Sequence, residues 1–525
     1  MKINLKLYRW TTISLIALGF YVLYVVTASS GNLTFSDSAK FADAGRNLLE
    51  EGRLAVHHSF FSDSSLKNYI PGKTFEVNFT PVNSRLLSLV FLSLPTTDQT
   101  LIFTGGVFFI ISALLLYELT QKLFSQKAGL VALLFFLTSP FFLEYGYNFT
   151  TEIIFTFEIL MVVYVVFLLR PKWVWMMPIL LIMYFTRPQA LPFYASLVVF
   201  FAISYVRQNQ FSFPRLINVL LLTGVVLLSL LLHTRGNLVT LLGSYSGSLY
   251  LPEIGGSSYL RGVASGIPWN QLPSKIAYNF VNFIKYPERL AAWGIFIFYA
   301  IFPFLKLNSV RRRLWLFSLI SFLFFILTAS LTLPNARYVH PVLPLIYICS
   351  AAALVSIIRQ LKLKPGWLIT FLMVSLILIK ELSFLTIDGR YRRNQYNFGK
   401  PSAAYQISQS MAKVIPPGKL IITNLDAWPA WYAQLTTMWF PVNPKMLDGY
   451  LDKISYIALT NYNTDKADFS LGMWQEIFDR PEEISNDFIS TNFHLVANNS
   501  ISKLENFENL NYRLVILENN DISNN

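Results

Sequence analysis

The chain has 525 residues and a formal net charge of +13; it is 54% apolar and only 14% charged, where a soluble protein carries about 25% charged residues. So few charges cannot coat the three or four soluble domains that the length suggests at roughly 150 residues each. The apolar content excludes disorder, and a lone cysteine, Cys349, excludes a disulfide scaffold. The positive balance invites a nucleic-acid partner, and the placement of the charges decides against one.

A helix needs about 20 mostly apolar residues to cross a bilayer. Eleven stretches qualify or come close: 10–28, 100–120, 128–143, 152–169, 173–186, 189–206, 216–233, 290–307, 315–333, 341–358 and 367–385. The first reads as a retained anchor, because no small-residue cleavage site of the signal-peptide kind follows it. The third and fifth are short enough to be re-entrant or half-buried. Lys2, Lys6 and Arg9 precede the first span, and every second short loop is then basic: Lys122 and Lys127; Arg170 and Lys172; Arg207 and Arg215; Lys306 and Arg311 to Arg313; Arg359, Lys362 and Lys364. None of these segments holds Asp or Glu. The intervening short loops carry Glu144 and Glu152, then Arg187, then Arg337. Under the positive-inside rule this predicts eleven crossings of the cell (inner or plasma) membrane, a cytoplasmic N-terminus and an extracytoplasmic C-terminus. Most of the charge is then a topological signal, and no nucleic acid is needed.

The predicted organisation is a transmembrane domain over 1–385, with long outer loops at 29–99 and 234–289, followed by a small extracytoplasmic α/β domain over 386–525. In that tail a helix is expected from Ala404 to Val414, ended by Pro416-Pro417-Gly418. A strand follows at Leu420–Thr423, then a helix over Asp426–Leu435. Tyr456–Leu459, Phe493–Ala497 and Arg513–Leu517 are further strands. Dinucleotide, nucleoside triphosphate and zinc-protease motifs are absent from the sequence.

The chemistry must lie in polar residues at the outer membrane edge. From Ser36 to Leu49 the pattern is that of a surface helix, with Phe41, Ala44, Leu48 and Leu49 on one face and Lys40, Asp43, Arg46 and Asn47 on others. Asp37 begins it. Asp37 (or Ser36) reads either as an N-cap or as a carboxylate held for general-base work. Glu152 opens the fourth span, where it suits the helix dipole. Glu158 lies deeper, where an ionisable group is expensive and needs a cavity or a partner. Arg187, in Thr186-Arg187-Pro188, and Arg337, in Asn335-Ala336-Arg337-Tyr338-Val339-His340-Pro341, are outer-edge arginines. They are either snorkelling anchors or a guanidinium fork for phosphate oxygens, with Tyr338 and His340 as additional hydrogen-bonding groups. The glycines of 243–258 suggest a mobile second loop, and Ile276, Phe280, Phe283 and Ile284 a second surface helix. His57 and His58 are adjacent and do not share a helical face. A divalent metal is compatible with such a site but has no ligand motif, and the sequence requires no cofactor.

Four segments together resemble the GT-C class of integral-membrane glycosyltransferases, in particular the protein O-mannosyltransferase and lipid A aminoarabinose transferase group. They are Ser36-Asp37-Ser38 running into Phe41–Leu48; Thr138-Ser139-Pro140-Phe141-Phe142-Leu143 followed by Thr151-Glu152; Thr186-Arg187-Pro188; and Arg337-Tyr338 ahead of Pro341 and Pro344. The resemblance spans roughly residues 10–385. It implies a polyprenyl-phosphate-linked sugar donor, a lipid, glycan or protein acceptor, and inverting transfer of a hexose or pentose among membrane lipids. Asp37 would be the general base, Arg337 and Arg187 would hold the leaving phosphate, and Glu152 would orient hydroxyls. Many members carry a Lys-Pro-Pro-like motif before the second span. Here that stretch reads Phe79-Thr80-Pro81-Val82-Asn83-Ser84-Arg85, leaving Lys73 or Arg85 to stand in for the lysine. The competing class is a carrier or flippase for a lipid-linked glycan or another anion, which predicts polar groups at the bilayer midplane and an internal repeat.

Overall fold

A computed structural model describes residues 5–28, 31–61, 63–76, 82–169, 176–206, 224, 250–251, 256–257, 270, 272–305, 308–331, 335–361, 366–382, 401–462, 464, 470–483, 487–505 and 508–521. The candidate span 216–233 and most of the glycine-bearing second loop lie outside these residues. The chain divides into two compact units. One holds residues 1–28, 102–245 and 268–391, and the other 29–101, 246–267 and 392–525.

The first unit is helical. Its elements include α1 (Leu5–Ala28), then, past helices of the second unit that include α2 (Ser36–Glu51) and α3 (Val82–Phe91), the long α4 (Asp98–Leu123). It continues with α5 (Gln126–Leu137), α6 (Pro140–Tyr147), α7 (Thr151–Leu168), α8 (Met176–Thr186) and α9 (Ala190–Val206). The remainder are α10 (Leu272–Lys285), α11 (Trp293–Ile301), α12 (Ser309–Leu331), α13 (Leu343–Gln360) and α14 (Gly366–Leu382). Among the described residues five helical stretches are long and apolar enough to cross a membrane: Arg9–Val26, Asp98–Leu123, Thr151–Leu168, Ser309–Leu331 and Ala336–Gln360. The protein is therefore a polytopic membrane protein. The third sequence span is not one straight helix: α5 and α6 meet at 63°. Pro140 opens α6, and a proline cannot continue the hydrogen-bond ladder of the helix before it. The fifth is the short helix α8, 11 residues long.

The bundle is held by close apolar packing. A methyl at Gly105 of α4 would sit 1.7 Å from the backbone oxygen of Gly146 on α6. The two backbones touch there, and neither can give way as a side-chain tip would. Gly105→Ala is therefore expected to destabilise the protein by at least the ~1–3 kcal/mol typical of overpacking, read as a lowered thermal midpoint in detergent. An alanine at Gly19, which faces open space, serves as the control and leaves the midpoint near that of the wild type.

The second unit is built on a six-stranded sheet. Its strands are β1 (His58–Ser59), β2 (Leu420–Thr423), β3 (Thr436–Trp439), β4 (Tyr456–Thr460), β5 (Phe493–Glu505) and β6 (Glu508–Asn519), in the order β1-β3-β2-β4-β6-β5. The first four are parallel, with Ile421 opposite Thr437 and Ile422 opposite Ile457; β6 runs antiparallel to β4 and forms a hairpin with β5. Strands β2, β3 and β4 are buried along their whole length, as parallel strands covered on both faces are. Helices α15 (Ala403–Ala412) and α16 (Trp428–Ala433) flank β2 in sequence. The sheet is not made by the tail alone: His58 pairs with Thr437, so the 29–99 loop supplies the edge strand. The core of this unit mixes both segments, with Val56, Phe61 and Leu66 packed among Ile422, Trp439, Ile457 and Val515.

Helix α2 departs from the expected surface helix. Its polar residues Asp43, Arg46 and Asn47 are buried, and Gly45 lies so close to α3 that a methyl there would sit 2.8 Å from the Ser84 oxygen. The polar side of the amphipathic pattern is covered by protein. Arg46 donates to the Ala430 and Trp431 carbonyls at 2.9 Å, capping the end of α16, and pairs with Asp43 at 2.5 Å.

Candidate active site

In the first unit, three charges that are far apart in sequence meet. Glu152 is the second residue of α7 and fully buried. Its Oε1 receives Arg187 Nη1 at 2.6 Å and also the Nε of Arg337. Arg187 follows the end of α8 and is only 4% exposed; its Nε donates to Gln189 at 3.0 Å, and its guanidinium lies 5.7 Å from the centre of the Tyr338 ring. Arg337 rides on a single 3-10 turn, Ala336–Tyr338, capped by the Asn335 side chain, and its own side chain is 25% exposed. Arg187 is thus no snorkelling anchor. Two guanidiniums share one carboxylate, and the Arg337 side chain reaches solvent beside it. That combination suits an anion with several oxygens.

The cluster sits at the starts of two candidate spans, Thr151–Leu168 and Ala336–Gln360. Because Glu152 and Arg337 touch, both spans begin at the same end of the unit, and α8 returns to that end at Thr186. The basic residues gather elsewhere. Arg9 donates to Gln121 at 3.2 Å, Arg311 to the Leu123 carbonyl at 3.0 Å, and Lys122 pairs with Glu118 at 2.9 Å. These contacts join α1, the end of α4 and the start of α12, a full helix length from the Glu152 cluster.

His340 and Glu158 support this cluster. Tyr145 hydroxyl and His340 Nδ1 are 2.6 Å apart, His340 Nε2 is 3.0 Å from the Arg289 carbonyl, and Phe141 stacks on the ring at 4.0 Å. A carbonyl only accepts, so Nε2 donates to it and Nδ1 accepts from Tyr145. With both nitrogens committed, His340 has no donor left for a phosphate, contrary to the sequence expectation; it fixes the turn that carries Arg337. Glu158, 5% exposed, accepts from Thr186 at 2.7 Å and so braces the residue before Arg187. Glu152 is the shared anchor of both arginines.

The remaining sequence candidates lie in the second unit. Asp37 is the second residue of α2, whose N-cap is Phe35 with no side-chain cap bond, so Asp37 is not the cap. Lys73 and Arg85 are exposed, the former in the turn before Phe75 and the latter on α3. The residues around Asp37 form a second ionic cluster that the sequence did not reveal. His58 Nε2 lies 3.1 Å from Asp426 and its Nδ1 3.0 Å from Thr437. Burial lowers the His58 imidazole despite the Asp426 carboxylate beside it. Burial alone raises Asp426, but His58, Ser36 and Lys40 together outweigh it and hold the carboxyl below its ordinary value. His57 bonds to Asp43 through both backbone nitrogen and ring, at 2.6 and 3.0 Å. Among the described residues no three His, Cys, Asp or Glu side chains gather as a metal-binding group.

A helical membrane bundle with a cationic cluster at one edge, joined to a sheet-bearing unit, has the fold of the GT-C class of membrane glycosyltransferases, which the four sequence segments resemble. A family model described as dolichyl-phosphate-mannose-protein mannosyltransferase matches residues 80–232, a stretch holding Glu152, Glu158 and Arg187. The chain is similar over 96% of its length to ArnT from Cupriavidus metallidurans bound to undecaprenyl phosphate, of which it covers 97%, at 11% identity and a TM-score of 0.50. It also matches the archaeal oligosaccharyltransferase AglB from Archaeoglobus fulgidus, solved with an inhibitory peptide and a dolichol-phosphate, over 87% of this chain and 70% of that one, at 13% identity and a TM-score of 0.49. No curated protein matches the sequence.

Proposed function

We propose that this protein is a glycosyltransferase that moves a sugar from a polyprenyl-phosphate carrier to an acceptor at the outer membrane face, inverting the anomeric centre. The observation that carries the reading is the buried Glu152 shared by Arg187 and Arg337 at the starts of two spanning helices. A lipid phosphate held at a membrane edge lies at the depth of such a cluster, and its oxygens suit guanidinium donors. The basic residues at the opposite end of the unit are those of a cytoplasmic face, which supports an extracytoplasmic site. The likeness to a solved protein bound to undecaprenyl phosphate agrees with the choice of carrier.

In the proposed step Asp37 takes the proton of the acceptor hydroxyl as that oxygen attacks the anomeric carbon. The bond from that carbon to the phosphate oxygen breaks, and the electron pair leaves with the polyprenyl phosphate. Arg337 and Arg187 meet the charge that develops on the leaving oxygen. Glu152 keeps both guanidiniums oriented before the donor arrives, so little reorganisation is needed at the moment of reaction.

Binding of undecaprenyl phosphate to the purified protein in lipid nanodiscs tests this. Arg337→Met is expected to weaken binding at least tenfold, since a charged hydrogen bond contributes about 1.5–3 kcal/mol and 1.4 kcal/mol is tenfold. The wild-type affinity should fall as salt rises. Equal affinity in wild type and Arg337→Met would remove the phosphate role.

A further inference from the structure

Asp426 stands in the turn that follows β2 with φ +58, a left-handed backbone that few residues other than glycine adopt. Its side chain gathers three partners from the 29–99 loop. The Nε2 of buried His58 lies 3.1 Å away, and that ring is fixed from its other side by Thr437 of β3. The Ser36 hydroxyl bonds to the same carboxylate, and the Lys40 ammonium faces it. Ser36 and Lys40 bracket Asp37 on the first turn of α2. Lys40 faces both Asp37 and Asp426 and lies 4.0 Å over the Phe60 ring. His58 also faces Lys40 and Asp43. Aspartate tolerates this backbone better than most residues, and here its side chain draws three groups together.

We propose that Asp426 is a positioning residue for Asp37: it clamps the first turn of α2 and holds Lys40 as the counter-charge beside the Asp37 carboxylate. The segment after residue 400 is then part of the transfer machinery and not an appendage. This rests on the assignment of Asp37 as the base, but its principal test does not require turnover.

Asp426→Asn and Asp426→Gly both remove the charge. Asparagine keeps hydrogen-bonding atoms for Ser36 and His58 and tolerates the left-handed backbone. Glycine relieves the backbone but removes the clamp. Each is combined with Asp37→Cys in the full-length protein, and thiol alkylation by a maleimide is followed against pH; Cys349 is buried. The Asp426→Gly protein is expected to alkylate at least threefold more slowly at neutral pH than the Asp426→Asn protein, because the first turn of α2, which carries Lys40, is no longer clamped through Ser36. Equal rates overturn the clamp. In donor turnover with Asp37 present, Asp426→Gly is expected to lower kcat at least tenfold with the donor KM within twofold, and Asp426→Asn to restore most of the loss. Full kcat in the glycine variant likewise overturns it. Full turnover by Asp37→Asn would instead remove the base assignment, and the alkylation comparison would still decide the clamp.

Discussion

Replacing Asp37 by Asn is expected to lower kcat for sugar transfer by about 10²–10⁴-fold, the range that a positioned general base supplies, while binding of undecaprenyl phosphate stays as in the wild type. The split follows from the division of labour in the proposed step. The amide cannot take a proton from the acceptor hydroxyl, whereas the phosphate is held by Arg187 and Arg337. Asn is close to Asp in shape, and the N-cap of α2 is Phe35, so the substitution removes no cap. Steady-state kinetics at saturating donor measure the effect. A kcat within threefold of the wild type would show that another group accepts the proton.

Glu152→Ala is expected to cost about 3–5 kcal/mol of stability, as breaking a buried ion pair does by leaving its partner uncompensated. Arg187 is 4% exposed and would keep its charge with no carboxylate beside it, facing the like charge of Arg337. The same argument predicts a rescue. An anion that occupies the vacated position should restore part of the loss, and a ligand stabilises by its binding free energy. Undecaprenyl phosphate is therefore expected to raise the thermal midpoint of Glu152→Ala by more than it raises that of the wild type. An alcohol of the same chain length, lacking the phosphate, should give no such difference. An unchanged midpoint for Glu152→Ala would mean that the three charges do not depend on one another.

The Glu152 cluster of the first unit was legible in the sequence for a simple reason. Charges are rare in apolar segments, so Glu152, Arg187 and Arg337 stand out where they occur, and their positions at the ends of apolar stretches already suggested a common level. The sequence could not show that Glu152 binds both arginines, nor that His340 is committed to Tyr145 and Arg289, since these are contacts between distant segments. Strands β2 and β4 were visible as short apolar, β-branched runs. The two-residue β1 has no period to detect, and Thr436–Trp439 fell at the end of a stretch that reads as helical. Helix α2 shows the limit of amphipathicity most clearly. The pattern marks Asp43 and Arg46 as polar but does not say what covers them, and here they are buried and paired. Asp426 gave only one signal, an acidic residue just past a strand end. Its partners Ser36, Lys40 and His58 come from the other end of the chain.

The most direct test of sugar transfer is to give the purified protein in nanodiscs a panel of polyprenyl-phosphate hexoses and pentoses, labelled in the sugar, together with envelope extract as a source of acceptors. Free polyprenyl phosphate and the label on each leaflet are then followed. The proposed function predicts cleavage of at least one donor, with label appearing in a non-lipid-phosphate product, abolished by Asp37→Asn and weakened by Arg337→Met. Intact donor that only moves from one leaflet to the other would contradict it and identify a carrier instead.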